Sequence, residues 1–339
     1  SRNVARYAAL LAGLPIETGG QTVNRLCASG LAAVIDAARA ISCGEGDLYI
    51  AGGVENMSRA PFVLGKAEAA FSREAKIFDS TMGTRFPNPR FQAAFGDDTM
   101  PQTADNIARD LGISRAASDA FALRSQQNYA AALQRGFFQA EITPIDLPGK
   151  RKDGAVTTCA ADEHPRPQSD EASLAKLAPL QPGGVVTAGN ASGVNDGGAA
   201  LAIGSRRVGD THGIRPRGRI LAAAAAGVPP RVMGLGPVPA SAKALDRAGL
   251  KLAQMDVIEI NEAFAAQVLG CTQQMGIAGD DPRLNPNGGA IAIGHPLGCS
   301  GARLALTALR QLEAGAGRYA LVTLCIGIGQ GLAAVIERV

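Results

Sequence analysis

Tryptophan is absent from the 339 residues, and aromatic side chains of all kinds make up only 4%. That leaves no platform of stacking rings for unpaired nucleic-acid bases. An excess of one charge is also missing, since 33 Lys and Arg against 30 Asp and Glu leave +3. A polycationic arm is thereby excluded, while a local basic patch that meets phosphates is not. No apolar run reaches the roughly 18 residues a membrane span needs. No charged-then-apolar leader opens the chain, because Ser1-Arg2-Asn3-Val4 runs straight into an alanine-rich helix. The six cysteines are even in number. In a chain this long without an export signal they read as free thiols, which implies a reducing, cytoplasmic setting.

Glycine is plentiful, with 42 residues, and 46% of the chain is hydrophobic. The length suits about two domains. The first 60 residues read as a helix from Val4, a β-branched run Thr22 to Leu26, Cys27-Ala28-Ser29-Gly30, a one-faced helix from Leu31 to Ile41, and a strand Leu48 to Gly53. The end repeats that order. Gly294-His295-Pro296-Leu297-Gly298 is a loop, Cys299-Ser300-Gly301 opens a helix, Tyr319 to Thr323 is a strand, Cys325-Ile326-Gly327 a bend, and Gly331 to Ile336 a last strand. Two α/β halves of like topology are expected from this duplication. Between them, Pro101 to Leu111 and Ser114 to Arg135 predict amphipathic helices in an inserted segment without strong strands, and Val185 to Ala202 returns to a strand, turn and helix. The Lys150-Arg151-Lys152 run in the insert reads as a solvated face that adds positive field for phosphates.

Several residues suggest chemistry by position. Cys27 sits where a strand is expected to give way to a helix, so free N–H groups and the helix dipole should stabilise a thiolate and lower its pKa. Its small neighbours Ala28, Ser29 and Gly30 let a ligand approach. His295, one of three histidines, lies on a stiff Gly/Pro loop. Asn261 follows the apolar strand Val257 to Ile260, where an amide either serves a site or caps the next helix. The other thiols, Cys43, Cys159, Cys271 and Cys299, read as ordinary cysteines.

Asn24-Arg25-Leu26-Cys27-Ala28-Ser29-Gly30, Asn261-Glu262-Ala263-Phe264, the His295 loop and Cys325-Ile326-Gly327 occur in that order, with Val54-Glu55-Asn56-Met57-Ser58 and Thr187-Ala188-Gly189-Asn190 between them. Collinear over essentially the whole chain, they resemble the thiolase family. The runs around Arg59 to Lys66 and Asp98 to Asn106 look most like thiolases acting on 3-oxoadipyl-CoA. The resemblance implies an α/β thiolase fold, layered α-β-α-β-α. One half spans 1–59 with 186–207, a mainly helical loop domain spans 60–185, and the other half spans 208–339. It implies a reversible, ping-pong acyl transfer in which Cys27 forms a thioester, His295 is the base and Cys325 moves the proton at the α-carbon. Asn261 would hold a water that completes one oxyanion hole with His295, and the N–H groups of Cys27 and Gly327 would form the other. Arg166 and Ser173 match the contacts to the nucleotide end of coenzyme A, Ser192 matches a pantetheine contact, and Met100, Ala263 and Phe264 match the acyl lining. Coenzyme A or acetyl-CoA would be a substrate, with no permanently bound cofactor and no metal. The protein would be a homodimer or homotetramer.

Thr99 stands where short-chain biosynthetic thiolases carry histidine, which speaks against acetoacetyl-CoA as the dedicated substrate; Arg85 or Arg59 would then pair a distal carboxylate. Thiolases also begin with about sixty further residues, a β-α-β unit, so the first half is expected to lack two strands and to expose apolar surface and open edges. The alternatives are a short-chain acetyl-CoA C-acetyltransferase, a ketoacyl synthase-like condensing enzyme, against which Cys325 and Asn261 argue, and a truncated, non-catalytic relative.

Overall fold

A computed structural model describes residues 3–67, 69–149 and 154–339. The Lys150-Arg151-Lys152 run lies outside the described residues.

From the amino end, α1 (Val4–Leu11) leads through coil and a 3-10 turn at Leu26–Ala28 into α2 (Ser29–Ser42) and β1 (Leu48–Asn56). Short hairpins β2–β3 (Phe62–Leu64, Ile77–Asp79) and β4–β5 (Ile145–Leu147, Thr157–Cys159) then flank helices α3 (Pro89–Phe95), α4 (Met100–Leu111) and α5 (Arg115–Gln134), and α6 (Glu171–Ala175) follows. The chain returns through β6 (Asp196–Gly204), α7 (Arg206–His212), β7 (Gly218–Gly227), α8 (Pro237–Ala248), β8 (Val257–Ile260) and α9 (Ala265–Met275). It closes with α10 (Ala290–Ile293), α11 (Leu297–Ala314), β9 (Tyr319–Ile326) and β10 (Gln330–Arg338).

The duplication is visible in the pairing. β1 lies antiparallel to β6, and β9 lies antiparallel to β10. In the carboxyl half β7 and β8 extend the sheet on either side, in the order β7-β10-β9-β8, whereas β1 and β6 stand as a pair among the described residues. Helices α2 and α11 pack together between the two sheets, and α8 covers the other face of the carboxyl-half sheet. The outer face of β1 leaves Ile50 63% and Val54 52% exposed.

Two glycines permit the central contact. A Cβ on Gly30 would stand 2.6 Å from the Gly298 carbonyl oxygen, and one on Gly301 would stand 2.4 Å from the Leu31 nitrogen. Only hydrogen at both positions lets α2 and α11 approach this closely.

Two local expectations fail. Thr22 to Arg25 is coil rather than a strand, since no neighbouring strand among the described residues offers it a hydrogen-bonding edge, and the 3-10 turn that follows starts with Leu26 in the left-handed region at φ 49°. The end of the Val185 to Ala202 stretch, expected as a helix, lies in β6, whose alternate side chains Ala199, Leu201 and Ile203 pack inward while nine consecutive residues pair with β1. Long-range pairing overrides the helical preference of its alanines.

Candidate active site

The site forms where the inner helices begin. Cys27 belongs to the 3-10 turn that runs into α2, and His295 precedes Pro296, the residue capping α11. The Gly327 backbone N–H and the N–H of Cys27 itself both point at the Cys27 sulfur. Gly327 opens the turn between β9 and β10, where Ile328 has φ 69°. Left-handed non-glycine residues thus stand beside both partners, at Leu26 and Ile328, a strain the fold holds in place.

The direction of the Cys27 pKa corrects an expectation. Burial is the largest influence and pushes the thiol up to about 11, against the lowering pull of the two N–H groups, while Glu55 adds a further raising charge. Cys27 therefore rests as a thiol, and a base is needed to make it a nucleophile. Cys325, buried on β9, is likewise held well above its usual range by burial first and by the neighbouring Cys27 and Cys271. No disulfide joins any of the six cysteines.

His295 is 5% exposed, and burial and then the Arg303 guanidinium push its pKa down to about 4, so the ring is neutral. Its Nδ1 lies 2.6 Å from the Ser300 hydroxyl, which donates to the Pro296 carbonyl at 3.1 Å. With the hydroxyl proton so placed, Nδ1 is the protonated nitrogen and donates to Ser300, which leaves Nε2 with a lone pair. Asn261 Nδ2 is 3.3 Å from that Nε2. Asn261 does not cap the following helix, whose N-cap is Phe264, and its buried Oδ1 has no hydrogen-bond partner among the described residues.

The Asn261 loop is tied to the cysteine loop through backbone and packing. The Asn261 N–H donates to the Thr323 carbonyl at 3.0 Å, two residues before Cys325. Ala263, Phe264 and Cys325 share a hydrophobic cluster with Ala104 of α4 and Met233. The Ser192 N–H donates to the Ala263 carbonyl, which sets Ser192 on the same wall. Met100 opens α4 and is 40% exposed. Arg166 and Ser173 are not brought to the thiols by any contact among the described residues. Arg166 folds back on the carbonyls of Glu163, His164 and Pro165, and Ser173 closes the capping box of α6 with Asp170.

Several supporting residues escaped the sequence reading. Ser300 orients the imidazole. Asn285, at φ 44°, accepts from the Ile260 N–H and donates to the Ile260 carbonyl and to Glu262 Oε1. Glu262 also accepts from Ser125 Oγ at 2.6 Å and the Ile291 N–H at 3.1 Å. These bonds fasten the Asn261 loop to α5 and to the segment before His295. Ser300 had a signal in the sequence, one helical turn beyond Pro296, and Glu262 stood in the Asn261 motif.

The fold, with its duplicated halves and paired helix-start loops, matches known proteins throughout. Family models for "Thiolase, N-terminal domain" and "Thiolase, C-terminal domain" match residues 1–207 and 214–338. The chain belongs to the thiolase family and has its α/β fold. It is 59% identical, over 100% of its length and 84% of the relative's, to the 3-oxoadipyl-CoA/3-oxo-5,6-dehydrosuberyl-CoA thiolase of Escherichia coli (strain K12). A beta-ketoadipyl-CoA thiolase of Pseudomonas aeruginosa is 57% identical over the same shares of the two chains. The crystal structure of human mitochondrial 3-ketoacyl-CoA thiolase in complex with CoA superposes at a TM-score of 0.90 with 38% identity, covering 99% of this chain and 82% of that one.

Proposed function

We propose that the protein cleaves 3-oxoadipyl-CoA with coenzyme A to give succinyl-CoA and acetyl-CoA, by ping-pong transfer through a succinyl thioester on Cys27. The observation that carries this reading is the convergence of the Cys27 and Gly327 N–H groups on the Cys27 sulfur, with Cys325 two residues before Gly327. His295 Nε2 takes the Cys27 proton, and the sulfur attacks the 3-keto carbon. The bond between C2 and C3 breaks, and the electron pair stays on C2 of the departing acetyl-CoA. Cys325, a thiol at rest, gives that carbon its proton. Coenzyme A then gives its thiol proton to the Cys325 thiolate and attacks the thioester, and the departing Cys27 takes back its proton from His295.

Charge develops on oxygen twice. The N–H groups of Cys27 and Gly327 hold the thioester oxygen as its carbon becomes tetrahedral. His295 and a water on Asn261 hold the oxygen of the acetyl-CoA enolate, a use supported by the buried, unpartnered Asn261 Oδ1. Met100, Ala263 and Phe264 line the acyl end, Ser192 meets the pantetheine arm, and Arg166 and Ser173 meet the nucleotide. Arg85 donates to the carbonyls of Ser80 and Gly83, so Arg59, which closes the turn after β1, is the cation we assign to the distal carboxylate. The proposed division is 1–59 with 186–207, 60–185, and 208–339, working as a cytoplasmic homodimer or homotetramer. Among the described residues no helix is long and apolar enough to cross a membrane.

Steady-state thiolysis of 3-oxoadipyl-CoA against acetoacetyl-CoA tests the assignment. The proposal expects kcat/KM to favour the dicarboxylic substrate at least about tenfold, the worth of roughly one charge-assisted contact. A preference for acetoacetyl-CoA would make the protein an acetyl-CoA C-acetyltransferase instead.

A further inference from the structure

β8 ends at Ile260, and the residues on both sides of Asn261 are fastened by buried side chains. The Asn285 amide takes both backbone groups of Ile260, accepting from its N–H at 2.9 Å and donating to its carbonyl at 2.9 Å. Asn285 Nδ2 also donates to Glu262 Oε1 at 2.8 Å. The other carboxyl oxygen, Oε2, accepts from the Ser125 hydroxyl of α5 at 2.6 Å and from the Ile291 N–H of α10 at 3.1 Å. Glu262 is 1% exposed, and only donors reach its two oxygens among the described residues.

The same carboxyl seats the segment that leads to His295. A Cβ on Gly289 would stand 2.7 Å from each Glu262 oxygen, so only glycine lets α10 start against the carboxyl. The Gly289 N–H donates to Ser125 Oγ at 3.1 Å. Gln126, next to Ser125 on α5, donates to the Ile291 carbonyl at 3.3 Å, so side chains hold both backbone groups of Ile291. The Gly294 N–H closes α10 on the Ala290 carbonyl at 2.8 Å, and His295 follows. One carboxyl thus joins two runs of backbone, one carrying Asn261 and the other leading to His295. Where they meet, Asn261 Nδ2 lies 3.3 Å from His295 Nε2. Burying a carboxyl is a costly way to join two segments, and apolar packing would join them for less. What three directed, charge-assisted bonds add is a fixed register between them.

We propose that Glu262 is a positioning residue for the enolate step: by bonding Ser125, Asn285 and Ile291 at once, it sets the Asn261 amide at the distance from His295 at which the pair holds the enolate oxygen of acetyl-CoA. This rests on the thiolase reading of the site. Glu262 acts through Asn261, since both of its oxygens are taken by protein donors. His295 keeps its own hold on α11 through Ser300, so loss of the carboxyl moves the amide more than the ring.

The test separates two partial reactions of acetyl-CoA. Transfer of the acetyl group to Cys27 uses the Cys27 and Gly327 N–H groups and makes no call on the Asn261 amide. It leaves Cys325 as the thiolate, which takes a proton from the methyl group of a second acetyl-CoA and, in deuterium oxide, returns a deuteron. Only this exchange passes through the enolate. Acetylation is read by rapid acid quench and peptide mass spectrometry, and exchange by the deuterium content of recovered acetyl-CoA. Glu262→Gln keeps the shape but sets an amide donor against a protein donor whichever way it turns. Exchange is therefore expected to fall about tenfold or more while acetylation stays within about twofold. Ser125→Ala removes one bond from Oε2, and exchange alone should fall about threefold to tenfold. If Glu262→Gln does not fold, Ser125→Ala decides by the same criterion. Exchange and acetylation that fall together, or exchange at the wild-type rate, overturn the proposal. Failure of the thiolase reading is a separate result, a wild type that acquires no acetyl group on Cys27 and exchanges no deuterium.

Discussion

Cys27 and His295 stand in matching places, each two residues before the first residue of its half's inner helix, Ser29 in α2 and Leu297 in α11. Because α2 and α11 touch through Gly30, Gly298 and Gly301, the two helix starts are brought side by side. Duplication thus supplies two equivalent loops, and divergence has given one the thiol and the other the imidazole. Their electrostatic states complement each other, since Cys27 rests protonated with its pKa near 11 and His295 rests neutral with its pKa near 4.

Removing the base should cost far more than removing its orienting partner. His295→Asn is expected to slow acyl transfer by about 100-fold to 10,000-fold, the usual contribution of a positioned base. A far-UV spectrum and melting temperature close to wild type would show that the loss is chemical. Unchanged single-turnover acylation in this variant would refute the role of His295.

Ser300→Ala deletes the acceptor for His295 Nδ1. One neutral hydrogen bond is worth about 0.5–1.5 kcal/mol. The expected loss in kcat is therefore about threefold to tenfold, with the substrate KM values unchanged. Serine to threonine, which keeps the hydroxyl, should recover part of the rate in the same assay.

Glu259 predicts an opposite dependence from the usual carboxylate. The folded protein keeps its proton up to about pH 8, whereas an unfolded glutamate loses it near pH 4.3. The unfolded state therefore binds fewer protons between those values, and stability falls as pH rises through that window. Glu259→Gln does not titrate. Its stability relative to wild type, measured by urea melts, should rise between pH 5 and pH 8; a constant difference would contradict the buried, neutral assignment.

Gly30→Ala tests the helix contact. The added methyl would meet the Gly298 carbonyl at 2.6 Å and the Ala302 nitrogen at 2.8 Å, both backbone atoms that move only with their helix. Overpacking of this kind costs about 1–3 kcal/mol. Loss of Cys27 acylation at temperatures where the variant is still folded is the second expected effect, because separating α2 from α11 separates the two loops.

The reach of the sequence can be judged from these residues. The inner helices and β1, β9 and β10 were readable because their periodicity and glycine punctuation are local. The β6 strand was not, since its alanines favour a helix until β1 supplies a partner from the far side of the inserted segment. Cys27, His295, Cys325 and Asn261 were singled out by their motifs, but the raised pKa of Cys27 was not expected, because burial is a property of the assembled site. Arg303, Asn285 and Ser125 carry no motif; their meaning comes from the residues that folding puts opposite them.

The central claim is that Cys27 carries the acyl group. Incubation with acetyl-CoA, followed by an acid quench and peptide mass spectrometry, measures it directly. The account predicts one acetyl increment on the peptide containing Cys27, absent in Cys27→Ser and released from the wild type by added coenzyme A. An unmodified Cys27 peptide, or an acetyl group carried on another cysteine, would contradict it.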